Sequence, residues 1–67
     1  MNEDPAIEEL ELSIRSQGVL ADLGVQSLGQ LAALSQNDIG AHPRVTSLVL
    51  RELSEILAQN GLAFREG

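Results

Sequence analysis

The sequence predicts an all-α fold, a compact bundle of four to five short helices in one domain. Apolar residues recur at helical spacing, most clearly over residues 12–23 and 49–57. A serine or threonine precedes most of the apolar segments, as expected for helix N-caps, and no segment has sustained strand alternation. At 67 residues the chain has room for a single hydrophobic core.

The N-terminal half contains the first two predicted helix starts. Asp4 and Pro5 form a cap and first-turn pair, whereas the following "IEELEL" fits a helical turn and an extended segment about equally. Ser13 is placed to cap "IRSQGVLADLG", which ends at Gly24. On a helical wheel this segment exposes Arg15.

Two further helix starts have a serine followed three residues later by a side chain that can complete a capping box. Ser27 and Gln30 match a capping box that opens "LGQLAAL", and Ser35 and Asp38 match another that opens the brief "QNDIG". Pro43 then breaks the chain.

The last and longest predicted helix begins at Thr46 or Ser47 and ends at Asn60-Gly61. Its spacing predicts a buried stripe with Val49 at the margin, formed by Leu50, Leu53, Ile56 and Leu57. The same wheel exposes Leu48. The predicted core is therefore Leu20, Leu23, Leu31, Leu34, Leu50, Leu53 and Leu57.

Charge and composition exclude several function classes. Five of the ten acidic residues lie within residues 1–11, which contain no base, so most of the net charge of −6 belongs there. The absence of cysteine excludes a disulfide, a thiolate metal site and a nucleophilic thiol. His42, beside Pro43, has no second ligand at recognisable spacing and is expected to shape a turn. We expect no cofactor, no small-molecule substrate, no catalysis, no membrane segment and a cytoplasmic monomer.

One stretch, "LELSIRS", runs from acids and leucines directly into Arg15. Together with "LGVQSLGQLAALSQNDI" and "LAQNGL", it resembles the C-terminal domain of the bacterial RNA polymerase alpha subunit over about residues 7–64. The resemblance implies two helix-hairpin-helix units, with residues 1–6 as an acidic N-terminal tail and 65–67 as a C-terminal tail. It also implies contacts with A·T-rich minor grooves, sigma factor and activators.

Carried over by position, the resemblance implies a partly retained DNA surface. Arg15 matches the family's minor-groove arginine, and Glu52 matches a glutamate near the DNA. Gly18 replaces the family's usual asparagine. A glycine, lysines and a serine of the family are replaced by Thr46, Ser47, Leu48 and Val49, which removes a phosphate-contacting lysine at Leu48. Weak DNA contact is thus expected at Arg15, Gly18, Arg44, Thr46, Ser47 and Glu52.

The protein-facing surface implied by the resemblance is better preserved. Glu8, Glu9 and Glu11 match the acidic patch that contacts a basic region of sigma factor, and Leu48 is a further candidate protein contact. The alternative for the acidic segment is a solvating tail, and the alternative for Arg15 is an exposed ion pair with Glu11.

Three hypotheses follow. The first is a transcription-associated interaction domain that works mainly through protein contacts, with DNA binding weakened. The second is a true minor-groove DNA-binding domain of a polymerase alpha subunit, acting through Arg15. The third is a scaffold module that uses only the fold within an unrelated protein.

Overall fold

The computed structural model describes residues 5–66, so the predicted Asp4 cap lies outside the described residues. A 3-10 turn over Ile7–Glu9 precedes four helices: α1 (Ile14–Asp22), α2 (Leu28–Ala32), α3 (Gln36–Gly40) and α4 (Ser47–Gln59). Within residues 5–66 the only β-type pairings are two isolated bridges, Ala6 with Ser27 and Ser35 with Arg65. The predicted all-α class is confirmed.

The predicted N-caps determine where the helices begin. Each cap side chain accepts a hydrogen bond from the amide three residues later, which satisfies one donor that the first helical turn leaves free. The four caps are Ser13, Ser27, Ser35 and Thr46.

Only one of the two predicted capping boxes is reciprocal. At Ser35 the Asp38 carboxylate accepts a hydrogen bond from the cap amide at 3.0 Å, which completes the box. At Ser27 the Gln30 side chain instead accepts the amide of Gln26, at 2.6 Å. The glutamine side chain is longer than that of aspartate and reaches one residue further back. The predicted capping box at Ser27 is therefore wrong for the bond from Gln30 to the Ser27 amide, whereas the bond from the Gln30 amide to the Ser27 hydroxyl forms.

Two glycines end the longer helices α1 and α4. Gly24 and Gly61 have φ values of 75° and 74°, a left-handed conformation that glycine adopts without a steric clash. The amide of the following residue bonds to the carbonyl five residues before it, at 2.9 Å after Gly24 and 2.8 Å after Gly61. These are Schellman endings, as the sequence predicted for Asn60-Gly61.

The ambiguous N-terminal segment uses both of its predicted conformations. After the 3-10 turn Ile7–Glu9 the chain bends at Leu10 and has no regular secondary structure up to Ser13. The Leu10 and Ser13 backbones are extended, and the Leu12 amide donates to the Leu10 carbonyl at 3.0 Å. The Ile7 amide bonds to the Gln26 carbonyl at 3.0 Å, and the Leu28 amide bonds to the Pro5 carbonyl at 2.9 Å. The acidic segment is thereby held against the connection between α1 and α2.

The core is centred on α4, which packs against both α1 and α3. Of the predicted core, Leu20, Leu31, Leu53 and Leu57 are fully buried. The core also contains Val49, which was predicted only at the margin of the α4 stripe, and residues outside the predicted core: Ile7, Leu12, Val19, Val25, Leu28 and Ile39.

Three residues of the predicted core, Leu23, Leu34 and Leu50, are only half-buried and pack against the buried cluster from its edge. On α4 the buried stripe is centred on Leu53, with Val49 only 3% exposed. At about 100° per residue, Leu50 lies about 60° from Leu53 and Val49 only about 40°. A small bundle covers one narrow side of the helix, so the residue nearer the centre of the stripe is the buried one.

Candidate functional site

The N-terminal ends of α1 and α4 lie side by side and form two open grooves that meet at Arg15 and Thr46. We call this surface the Arg15 face. One groove is lined by Ser13, Arg15, Thr46, Leu48, Val49 and Glu52, and the other by Ile14, Arg15, Gly18, Pro43, Arg44 and Thr46. Every predicted DNA-contact residue except Ser47 lines one of these grooves; Ser47 is exposed in the first turn of α4.

Arg15 is exposed and, within the described part of the chain, forms no ion pair. The alternative pairing with Glu11 does not form. Because α1 begins at Ile14, Glu11 precedes the helix, and the four-residue spacing does not bring the two side chains onto one helical face. The guanidinium of Arg15 is therefore available to a ligand.

Arg44 is held by another part of the molecule. Its guanidinium forms an ion pair with the Asp22 carboxylate at the end of α1. His42 contacts the same carboxylate through Nε2 at 3.0 Å, and its Nδ1 accepts the Arg44 amide at 3.0 Å. The hydrogen bonds from His42 and then Arg44 lower the pKa of Asp22. Asp22 thus offsets much of the charge that Arg44 brings to the Arg15 face.

Glu52 is engaged in contacts between helices. Its Oε1 accepts hydrogen bonds from the hydroxyls of Ser16 and Ser13, the latter at 2.9 Å, and its Oε2 accepts the Ser13 amide at 3.0 Å. The Ser16 bond is the largest cause that lowers the pKa of Glu52, and partial burial opposes it. The carboxylate ties the start of α1 to α4 beneath the Arg15 face.

Two large apolar side chains are exposed at this surface. Ile14 is 86% exposed and Leu48 is 70% exposed. The exposure of Leu48 confirms the helical-wheel prediction, whereas Ile14 was missed. The helical wheel could have predicted the exposure of Ile14, because Ile14 lies on the side of α1 opposite Ser16 and Leu20.

The start of α4 has ordinary backbone geometry. Thr46 has a φ of −116°, and its hydroxyl accepts the Val49 amide at 3.3 Å. Because this φ is negative, a β-branched residue fits without strain, and the hairpin does not require the glycine found in the family. The replacement therefore alters the surface chemistry without distorting the backbone.

A second surface, the acidic groove, runs between the N-terminal segment and α4. It is lined by Glu9, Leu10, Glu11, Leu12, Glu52, Glu55, Ile56, Gln59 and Asn60, with no arginine among them. Glu9 and Glu11 come from the predicted protein-contact set, while Glu8 is exposed and lines a neighbouring depression. Sequence reasoning missed Glu55 and Ile56, because only the fold brings α4 alongside the N-terminal segment.

Within residues 5–66, no group of three His, Asp or Glu side chains is placed to hold a metal ion. In the same range, none of the helices is both long and apolar enough to cross a membrane.

Comparison with known proteins identifies the family. The family model for the C-terminal domain of the bacterial RNA polymerase alpha chain matches residues 2–59. The protein is 36% identical over 58 residues to the DNA-directed RNA polymerase subunit alpha of Syntrophus aciditrophicus, which covers 87% of this chain and 17% of the relative. The same subunit of Mycoplasma mycoides is 32% identical over 63 residues, which covers 94% of this chain and 20% of the relative.

The corresponding subunit of Leptospira biflexa is 36% identical over 58 residues, covering 87% of this chain and 18% of the relative. The chain thus spans a fifth or less of the length of these relatives. Both the match of the family model and these identities extend over most of the chain. The protein belongs to the family of the C-terminal domain of the bacterial RNA polymerase alpha subunit.

Proposed function

We propose that this domain is a transcription-associated interaction domain that works mainly through protein contacts, with its DNA binding weakened. One observation carries the proposal. Of the two arginines that line the Arg15 face, Arg44 is ion-paired and Arg15 is not, as far as residues 5–66 are concerned, and exposed Ile14 and Leu48 lie in the grooves on either side of Arg15.

The charges of the Arg15 face support weak binding to DNA. Affinity for duplex DNA depends on the number of phosphates that cations neutralise, and each such contact adds salt dependence. Arg44 is paired with Asp22, and Leu48 supplies no charge. One arginine can still enter a narrow A·T-rich minor groove, but it provides little of the affinity that a basic surface provides.

The acidic groove supports the protein-binding half of the proposal. Glu9, Glu11 and Glu55 are exposed around half-buried Leu10 and Ile56. Carboxylates around an apolar floor complement a basic amphipathic segment, because such a segment supplies both ion pairs and apolar contact. The partner we propose is the basic region of sigma factor that the family resemblance implies.

The DNA half can be tested by fluorescence anisotropy on an A·T-rich duplex at about 50 and 150 mM salt. We expect weak binding that disappears at the higher concentration and is abolished by Arg15→Ala. Arg51→Ala is the matched control, since Arg51 is also exposed without an ion pair in the described residues but lines neither groove of the Arg15 face. Tight binding at the higher salt would refute the proposal.

The protein half can be tested with purified sigma factor in a binding titration. The double variant Glu9→Lys/Glu11→Lys should weaken binding at least tenfold, because it reverses the charge along one wall of the acidic groove. Glu66→Lys, an exposed acid outside this groove, should leave binding unchanged. Equal binding by all three proteins would remove the basis for the sigma contact.

A second candidate function is a true minor-groove DNA-binding domain. It is favoured by the guanidinium of Arg15, which has no ion pair with any described residue and lies beside the N-terminus of α4, where the first-turn amides of a helix attract anions. The same anisotropy experiment separates the candidates, because only this one predicts Arg15-dependent binding that persists at physiological salt.

A further inference from the structure

We propose that the Arg15 face is a docking surface for a protein segment that carries one carboxylate flanked by apolar side chains. The proposal shares with the proposed function the assignment of protein contacts to this domain. It rests on the same Arg15-face residues as the proposed function, but it concerns a different surface from the acidic groove and a partner segment of opposite charge. Docking at the Arg15 face and the sigma contact at the acidic groove can therefore fail separately.

The apolar part of the surface is made by two residues from different helices. Ile14, at 86% exposure, and Leu48, at 70%, are the two most exposed large apolar side chains in the described part of the chain. Each lies in the first turn of its helix. Leu48 lines one groove and Ile14 the other, and the two grooves share Arg15 and Thr46. Two apolar contacts are thus presented on either side of one cation.

The charges of the Arg15 face select a single carboxylate. Arg15 has no intramolecular ion pair within residues 5–66, whereas Arg44 is paired with Asp22. Glu52 keeps its negative charge, but its carboxylate oxygens face Ser13 and Ser16 and form no ion pair with Arg15. A carboxylate can satisfy a guanidinium with two parallel hydrogen bonds. An arginine surrounded by apolar contacts that exclude water is a frequent centre of protein interfaces.

DNA fits this surface less well than such a segment. A duplex presents a row of phosphates, and the exposed side chains of Ile14 and Leu48 offer them neither charge nor a hydrogen-bond donor. The apolar side chains of a protein segment would instead be buried against these two residues. The Ser13 hydroxyl already donates its proton to Glu52.

The test is a selection from a random twelve-residue peptide display library on the immobilised 67-residue chain, followed by titration of the selected peptides. We expect enrichment of peptides with Asp or Glu between apolar residues. Their affinity should fall at least tenfold for Arg15→Glu and for the double variant Ile14→Ser/Leu48→Ser. These side chains are exposed, so thermal melting of the variants should match that of the wild type.

Two matched controls make the test specific. Arg51→Glu makes the same charge change at another exposed arginine, and Leu62→Ser removes another exposed leucine, which follows the C-terminal end of α4. Both should bind the selected peptides like the wild type. Equal losses in the controls and the test variants would show a general charge or hydrophobicity effect and would overturn the proposal.

Three other outcomes would also overturn it. The first is that no peptide is enriched, or that the enriched peptides are basic. Basic peptides that no longer bind the Glu9→Lys/Glu11→Lys variant would assign binding to the acidic groove alone. The second is that an A·T-rich duplex binds the Arg15 face at physiological salt. The third is that sedimentation shows a dimer of this chain that Ile14→Ser/Leu48→Ser dissociates.

Discussion

The Ser16 hydroxyl, fully buried on α1, donates a hydrogen bond to the carboxylate of Glu52 on α4. This contact joins two residues that are 36 positions apart in the sequence. It places a carboxylate directly beneath the face that exposes Arg15. The two helix N-termini are consequently held in a fixed relation, which determines the geometry of the candidate interface.

Replacing Glu52 by alanine should reduce the free energy of unfolding by about 1–2 kcal/mol. The substitution removes the acceptor of three hydrogen bonds and leaves the proton of the buried Ser16 hydroxyl without its acceptor, a loss expected to lie in that range for a half-buried site. Urea denaturation measures the change. Glu55→Ala, on an exposed position of the same helix, should stay within about 0.5 kcal/mol of the wild type.

Stability should fall as the pH drops below about 4.5. The folded-state pKa values of Glu52, Asp38 and Asp22 are all lowered, while unfolded Glu and Asp titrate near about 4.3 and 3.9. A group with a lowered folded pKa contributes stability above its unfolded pKa and loses it as the pH falls through its folded pKa. Unfolding free energies measured from pH 7 to pH 3 should show this decline.

The double variant Glu52→Gln/Asp38→Asn should flatten that decline, since it removes two of the titrating groups. Glu55→Gln, whose carboxylate makes none of these hydrogen bonds, is the control. A double variant with the same pH dependence as the wild type would show that other groups govern acid stability.

Leu53→Ala should unfold much of the population at room temperature. Leu53 is fully buried at the centre of the α4 stripe, and truncation of a buried leucine costs about 2–5 kcal/mol. This is a large fraction of the stability of a small domain. Circular dichroism melting measures the effect, with Leu48→Ala as the exposed-leucine control. Unchanged melting of Leu53→Ala would contradict the packing described above.

Asp22→Asn should strengthen binding to A·T-rich DNA at low salt. The change removes the ion pair of Arg44 and one negative charge near the Arg15 face, so Arg44 becomes available to a phosphate. The slope of log affinity against log salt should steepen by about 0.9, the value for one additional phosphate contact. Fluorescence anisotropy measures both quantities. An unchanged slope would show that Arg44 does not reach the DNA.

Leu48→Lys should leave the free energy of unfolding within about 0.5 kcal/mol of the wild type, because the side chain is exposed. It should also strengthen low-salt DNA binding through one added cation, and weaken binding of the selected peptides to the Arg15 face through the loss of one apolar contact. Denaturation, anisotropy and peptide titration measure the three effects. A domain unfolded by Leu48→Lys would mean that the leucine supports the core.

The local features of the fold were predictable because they depend on interactions within a few residues. The caps at Ser13, Ser27, Ser35 and Thr46 bond to amides three residues away, and the Gly61 ending requires only a residue that tolerates a left-handed backbone. Helical spacing likewise placed Leu53 in the core and Arg15 and Leu48 at the surface. The family resemblance rested on the same short segments.

Local sequence patterns did not predict the contacts between segments that are distant in the sequence. Which of Val49 and Leu50 is buried depends on the side from which α1 and α3 approach α4, and periodicity alone tolerates either.

By itself the sequence determined helix limits, class and family, because caps, breakers and apolar spacing act locally. Only the tertiary structure decided the electrostatics of the candidate site. It paired Arg44 with Asp22, turned Glu52 toward Ser16, and left Arg15 unpaired within residues 5–66. These pairings join residues 22 and 36 positions apart in the sequence, and the packing of α4 sets their distances.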